Sequence, residues 1–160
     1  MVTRLIFPMP ASSAEVFEAF HNHDTRLRWD TLLGEATVEG GQRYPRVGAV
    51  SVNVGRGWRR LFVLRTRFVS YHPPHLAAAT IDAPAGIFRQ WSASIRHRDR
   101  GDGGSELVYT FTLRLRPRWL DRLFGATMDR IFAAQTRRRF EALAAFLRER
   151  ADDGTARGSP

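Results

Sequence analysis

The sequence predicts an α+β fold in which a curved antiparallel sheet of about seven strands wraps around one long C-terminal helix. Apolar residues recur with a period of two from Glu35 to Leu115, which is typical of strands with one buried face. From Arg118 to about Arg150 they recur with the period of 3.6 that indicates a helix. An antiparallel sheet with one apolar face has to be covered, and this helix is the only predicted element long enough to do so.

The N-terminal segment is predicted to form the first strand and two short helices. A β-prone run at 3–7 ends at a proline. Ser12 and Glu15 have the spacing of a capping box, in which each side chain satisfies a free backbone N–H of the other residue at a helix start. Apolar residues at helical spacing follow them, and a second short helix is predicted over 24–33, with Gly34 ending it.

Six further stretches complete the predicted sheet. Turn signals separate them: the pair Pro73-Pro74 removes two backbone donors from any strand ladder, and the glycine-rich segment 101–104 is typical of a hairpin loop. The six stretches are 36–38, 47–54, 58–71, 76–82, 87–95 and 107–115.

The final helix is predicted to start after Pro117 and to be interrupted once. A helix over 118–150 would be about 50 Å long, which exceeds the diameter of a domain of this size, so a break or kink is expected at Gly125. We expect residues 1–150 to form a single domain and the polar segment 151–160 to be a disordered tail.

The charge of the chain is strongly positive, with 25 basic and 16 acidic residues and a formal net charge of +9. All the basic residues are arginines scattered along the chain, so we expect no specific nucleic-acid binding, only salt-sensitive adhesion to polyanions. The run Arg137-Arg138-Arg139 is interpreted as a solvated helix face, with transient contact to an anionic membrane surface as the weaker alternative. Without a signal peptide or an apolar span, a cytoplasmic location is expected.

Three short segments and the long terminal helix resemble one known superfamily. The segments are Phe7-Pro8-Met9-Pro10-Ala11-Ser12-Ser13-Ala14-Glu15-Val16-Phe17, Leu27-Arg28-Trp29-Asp30 and Phe68-Val69-Ser70-Tyr71-x-Pro73-Pro74. They are similar to the START-like (SRPBCC, Bet v 1-like, helix-grip) superfamily, in particular its polyketide cyclase/dehydrase and lipid-transport group, over roughly residues 3–150. The resemblance implies an apolar ligand held between helix and sheet. Members include aromatic polyketide cyclases and proteins that bind lipids, plant hormones or quinones, so the chemistry stays open.

Inward-facing apolar side chains are the candidate lining of such a cavity, although each of them is also consistent with an ordinary core. Trp29 either gates the entrance or packs the second helix. The candidate ligand-binding residues are Trp29, Trp58, Arg60, Phe62, Phe68, Trp91, Phe111, Met128, Ile131 and Phe132.

Two arginines and one tyrosine are the candidate polar groups of the cavity. By alternation, Arg60 and Arg89 fall on the apolar faces of their strands, where a charged side chain needs an acceptor such as a ligand carboxylate, phenolate or enolate oxygen. Otherwise both point to solvent, or pair with an acid such as Asp30 or Asp82. Tyr109 is a candidate hydrogen-bond donor or acid, or else a core tyrosine with a satisfied hydroxyl.

These observations leave three functional hypotheses. The first is binding of a small hydrophobic ligand (a lipid, quinone, polyketide or aromatic molecule) for transport, storage or sensing. The second is a polyketide cyclase- or dehydratase-like enzyme in which Arg89 or Arg60 holds an enolate and Tyr109 transfers a proton. The third is a basic module that docks on nucleic acid. No metal or cofactor is expected, and the protein is expected to be a monomer or homodimer.

Overall fold

The computed structural model describes residues 2–30, 33–38, 44–55 and 63–156, and places seven strands and three helices in them. In chain order the elements are β1 (Val2–Met9), α1 (Ser13–His21), α2 (His23–Trp29), β2 (Leu33–Val38), β3 (Val50–Gly55), β4 (Val63–His72), β5 (Leu76–Ile81), β6 (Phe88–Asp99), β7 (Ser105–Leu115) and α3 (Arg118–Ala156).

The strands form one antiparallel sheet in the order β1-β7-β6-β5-β4-β3-β2. From β2 to β7 each strand pairs with its neighbour in sequence. β1 pairs with β7 along its whole length, from Val2 opposite Thr112 to Met9 opposite Ser105. The predicted fold class, a curved antiparallel sheet with two short early helices and a long C-terminal helix, is thus confirmed.

The inner face of the sheet is the apolar face that the period of two predicts. In β7 every second residue from Ser105 to Leu115 is buried, and the residues between them are half-buried. α3 lies on this face, and the Phe140 ring has its centroid 4.8 Å from Phe7 and 5.4 Å from Tyr109. Full burial of such a side chain contributes about 1.5–3 kcal/mol, so this contact is a main attachment of α3 to the sheet. The residues of α3 that are buried here are Asp129, Ala133, Thr136, Phe140, Leu143, Ala144 and Leu147.

The two short helices connect opposite edges of the sheet. α1 starts with the predicted capping box: the Glu15 N–H donates to the Ser12 hydroxyl (3.3 Å), and the Ser12 N–H donates to the Glu15 carboxylate (2.9 Å). α2 ends at Trp29, earlier than the predicted 24–33. Gly34, expected to end it, lies inside β2, because that strand already pairs with β3 from Leu33 onward.

α3 differs from the prediction at Gly125, where a break was expected, and at its C-terminal end. The helix continues through Gly125, where a side-chain Cβ would lie 3.2 Å from a carboxylate oxygen of Asp121. That carboxylate accepts a hydrogen bond from the Leu115 N–H (2.8 Å), so the glycine leaves room for the side chain that joins β7 to α3. The helix also continues to Ala156, into the segment assigned to a disordered tail. Its 39 residues are about 58 Å long.

Candidate functional site

The middle of the inner face carries small side chains. Ala79 of β5 is paired with Ala93 of β6, and Ala77 is paired with Ile95. Ala79 and Ala93 are half-buried and pack at the margin of the hydrophobic core. A methyl group rises little above the sheet, so this pair of residues contributes little volume to the space below α3.

Three aromatic rings border this region. The centroid of the Phe132 ring of α3 lies 4.7 Å from Phe111 of β7 and 6.4 Å from Trp91 of β6, both in edge-to-face geometry. The Trp91 side chain is half-buried, yet its indole N–H is fully buried and has no acceptor among the described residues. Because a buried indole N–H normally finds a partner, this donor is available to a bound polar atom.

Besides Trp91, five of the predicted cavity residues lie on the inner face of the sheet or on α3. Phe68, Phe111 and Tyr109 are buried on the inner face, and Met128 and Phe132 are half-buried on α3. The segment that holds Trp58, Arg60 and Phe62 lies outside the described residues.

Two predicted lining residues occupy other positions. Ile131 is 45% exposed, which corrects its assignment to the lining: it lies about 200° around α3 from the buried Asp129. Trp29 is buried and donates its indole N–H to the Ala19 carbonyl (2.9 Å), so it packs α2 against α1.

Arg89 lies at an irregularity that the alternation did not predict. A β-bulge between Phe88 and Gln90 places Phe88 opposite the buried Leu115, while Gln90 is opposite Arg114. The prediction that Arg89 lies on the inner face is therefore wrong. Phe88 occupies the inner-face position, and Arg89 is the exposed extra residue of the bulge.

A buried ion-pair cluster joins α2 to α3. Asp30, whose side chain is fully buried, accepts hydrogen bonds from Nε of Arg26 (3.1 Å) and from Nε and Nη2 of Arg139 (2.8 and 2.5 Å). Both guanidinium groups also lie over the Phe20 ring, 4.7 and 5.0 Å from its centroid, which is cation–π geometry. We refer to Arg26, Asp30 and Arg139 as the arginine–aspartate cluster.

Tyr109 lies within the electrostatic field of this cluster. Burial raises the pKa of the Tyr109 hydroxyl to about 12, against the opposing effect of Arg139 and Arg26. The phenol is thus protonated at neutral pH. Its O–H has no hydrogen-bond partner in the described part of the chain, and it is a competent donor.

Sequence reasoning missed the arginine–aspartate cluster, although two signals for it were present. Arg26 and Asp30 have the i, i+4 spacing of a helical ion pair. Arg139 follows Phe132 by seven residues and Met128 by eleven, which places all three on one side of α3. The interpretation of Arg139 as a solvated residue is wrong, whereas Arg137 and Arg138 are exposed as expected.

A second buried polar group lies beneath α1. His97, on the inner face of β6, is 6% exposed and packs edge-on against Phe17, with ring centroids 5.6 Å apart. Neither ring nitrogen has a hydrogen-bond partner among the residues that the structure describes. Burial, with a smaller effect of His75, lowers the pKa of His97 to about 4, so the ring is neutral at pH 7.

A separate open groove of about 640 Å³ lies beside β3, β4 and β5. Arg46, Arg65, Arg67 and Asp82 form its polar lining, and Arg67 is ion-paired with Asp82. Such a lining does not suit an apolar molecule.

The fold and the inner-face site define a class of protein: a helix-grip domain in which an antiparallel sheet holds one long helix over an aromatic-lined region. Residues 7–148 match the family described as polyketide cyclase / dehydrase and lipid transport. The chain belongs to this family, as the resemblance implied, and the family fits a hydrophobic ligand-binding fold. No curated protein sequence matches the chain.

Solved structures share the fold at low sequence identity. The di-domain ARO/CYC StfQ from the steffimycin biosynthetic pathway is similar with a TM-score of 0.76 and 12% identity, over 94% of this chain and 52% of that one. Ara h 8.0201 is similar with a TM-score of 0.65 and 13% identity, over 93% and 98%. An uncharacterised protein from Rhizobium leguminosarum is similar with a TM-score of 0.69 and 16% identity, over 93% and 95%. The chain spans about half the length of the di-domain proteins.

The described helices do not include one with the length and apolarity needed to cross a bilayer.

Proposed function

We propose that the protein binds a small hydrophobic molecule, such as a lipid, quinone, polyketide or aromatic compound, between the inner face of the sheet and α3. The observation that carries this proposal is the Ala79–Ala93 pair at the centre of the inner face. A sheet packed fully against a helix fills this layer with large side chains, whereas here one pair of opposed residues presents two methyl groups. The free indole N–H of Trp91 supports a ligand that carries a polar atom beside its apolar part.

The test uses the substitution Ala93→Phe, which places a ring in the proposed ligand space. The matched control is Ala78→Phe on the neighbouring strand, because Ala78 alternates with Ala77 and Ala79 and so points to the other face of the sheet. Each protein is examined by native mass spectrometry for a co-purifying molecule and by titration with the neutral fluorescent probe N-phenylnaphthylamine.

Wild type and Ala78→Phe should bind the probe, and Ala93→Phe should fold normally without binding it. At a ligand concentration of about 100 Kd, binding should add about 2.7 kcal/mol to the free energy of unfolding. If the space is instead filled by core, Ala93→Phe overpacks it and lowers that free energy by about 1–3 kcal/mol. That loss, together with a wild type that binds no probe, would contradict the proposal.

A cyclase- or dehydratase-like enzyme is the alternative, and one observation favours it. Tyr109 combines a protonated, unpaired hydroxyl with two nearby guanidinium groups, an arrangement that suits protonation of a bound enolate. Arg89, the predicted partner of Tyr109, is exposed at the bulge of β6, and its catalytic role stays a prediction. Recovery of the co-purifying molecule chemically unchanged after incubation would favour binding alone. Loss of turnover without loss of binding in Tyr109→Phe would favour the enzyme.

The cytoplasmic location, the oligomeric state, contact with anionic membranes and the expected lack of specific nucleic-acid binding stay predictions from the sequence.

A further inference from the structure

The arginine–aspartate cluster carries more positive than negative charge. Arg26, Asp30 and Arg139 together hold one net positive charge, and their side chains are 10%, 0% and 13% exposed. Asp30 is the one described carboxylate that acts on Arg26 electrostatically. Because an unbalanced charge on side chains that are this deeply buried costs several kcal/mol, the cluster would stabilise one further anion.

The cluster also has hydrogen-bond donors that Asp30 does not use. Arg26 donates to Asp30 through Nε only, and Arg139 does so through Nε and Nη2. Both terminal nitrogens of Arg26 and Nη1 of Arg139 have no acceptor among the described residues, and the same holds for the Tyr109 hydroxyl. Several N–H groups beside a protonated phenol form a donor set that matches a carboxylate.

The cluster is connected to the apolar region of the proposed site. Arg139 lies on the same side of α3 as Phe132 and about 10 Å further along the helix axis. On β7, Tyr109 is followed on the inner face by Phe111, with their ring centroids 6.0 Å apart, and Phe111 contacts Phe132. The arginine–aspartate cluster forms the polar end of the site and Phe132 its apolar end. The distance between them is about the length of a medium acyl chain or a two-ring aromatic molecule.

We propose that the ligand is an amphipathic monocarboxylic acid whose carboxylate binds the arginine–aspartate cluster while its apolar part lies against Phe132 and Trp91. A single negative charge balances the cluster, and the buried Phe20 ring below both guanidinium groups holds them in place. This inference rests on the proposed function and names the ligand class for the same site.

The experiment compares decanoate with decanol, which share an apolar chain and differ in charge. Their affinities are measured at neutral pH by displacement of N-phenylnaphthylamine from wild type, Arg139→Met, Arg139→Lys and Arg138→Met. Arg138→Met is the matched control because that arginine is adjacent on the same helix and exposed.

Wild type and Arg138→Met should bind decanoate at least about tenfold more tightly than decanol. In Arg139→Met the three-residue cluster becomes neutral, so its ratio should fall to about one while its decanol affinity is retained. Arg139→Lys should keep part of the preference because it keeps the charge and loses the planar fork.

Equal affinity of wild type for decanoate and decanol would overturn the carboxylate proposal and leave the hydrophobic site intact. Failure of both molecules and of the probe to bind would instead overturn the proposed function itself. The wild-type ratio decides the question even if Arg139→Met does not fold.

Discussion

Replacement of His97 should change how the stability of the protein depends on pH. The pKa of the buried ring is lowered from 6.5 to about 4, so the unfolded chain takes up a proton before the folded one does. The free energy of unfolding therefore keeps its full value above pH 6.5 and decreases as the pH falls from 6.5 toward 4. At about 1.4 kcal/mol per pH unit, this interval corresponds to a loss of about 3 kcal/mol.

The assay is urea unfolding of wild type and His97→Leu at a series of pH values between neutral and about 4. Leucine removes the two unpaired buried nitrogens and cannot take up a proton, so the variant should lose about 3 kcal/mol less than wild type across this interval. Asp99, whose pKa is lowered by its hydrogen bond from the Ser13 N–H, titrates below its ordinary value of 3.8 and so outside the interval.

The control is His72→Gln at the exposed last residue of β4, and this variant should follow wild type. Parallel loss of stability in wild type and His97→Leu would refute the reasoning, because the buried ring would then not be the group that couples folding to protons. A change in the slope of the urea dependence would point to a different cause, a change in the surface exposed on unfolding.

Two further substitutions test the capping of α1 and the packing of α3. Ser12→Ala should lower the free energy of unfolding by about 1 kcal/mol, because it removes the hydroxyl that accepts the Glu15 N–H; urea unfolding beside a neutral surface variant checks it. Phe140→Ala should lower the free energy of unfolding by about 3–5 kcal/mol, because the ring is 1% exposed and contacts Phe7 and Tyr109. A loss below about 1 kcal/mol would mean that α3 is not attached to the sheet through this ring.

The fold could be predicted from the sequence because it depends on periodicity over long stretches. The alternation of β7 from Ser105 to Leu115 and the apolar stripe of α3 each contain enough residues to exclude the other period. The limits of α3 were harder to predict, since propensity alone disfavours Gly125. A Cβ at this position would lie 3.2 Å from the Asp121 carboxylate that accepts the Leu115 N–H, and this contact with β7 is a tertiary feature.

The candidate site was predicted less completely because it depends on local irregularity and on contacts distant in sequence. One extra residue at the bulge of β6 places Phe88 instead of Arg89 on the inner face. Strict alternation of the sequence cannot detect this shift. The pairing of Arg139 with Asp30 joins residues far apart in the chain. The aromatic residues Phe111, Phe132 and Trp91 were found because apolar periodicity determines which face they occupy.

The strand order also governs how the chain can fold while it is being synthesised. β2 to β7 each pair with a neighbour in sequence and can form progressively, whereas β1, synthesised first, pairs only with β7. The cover of the inner face, α3, leaves the ribosome after all the strands. A nascent chain that ends before Arg118 therefore exposes an apolar sheet face, and before β7 is complete it also exposes an unpaired edge strand; both favour aggregation. The nascent chain stays prone to aggregation until α3 has emerged from the ribosome. Truncation of α3 should therefore make folding depend on chaperones more than an equally long deletion elsewhere does.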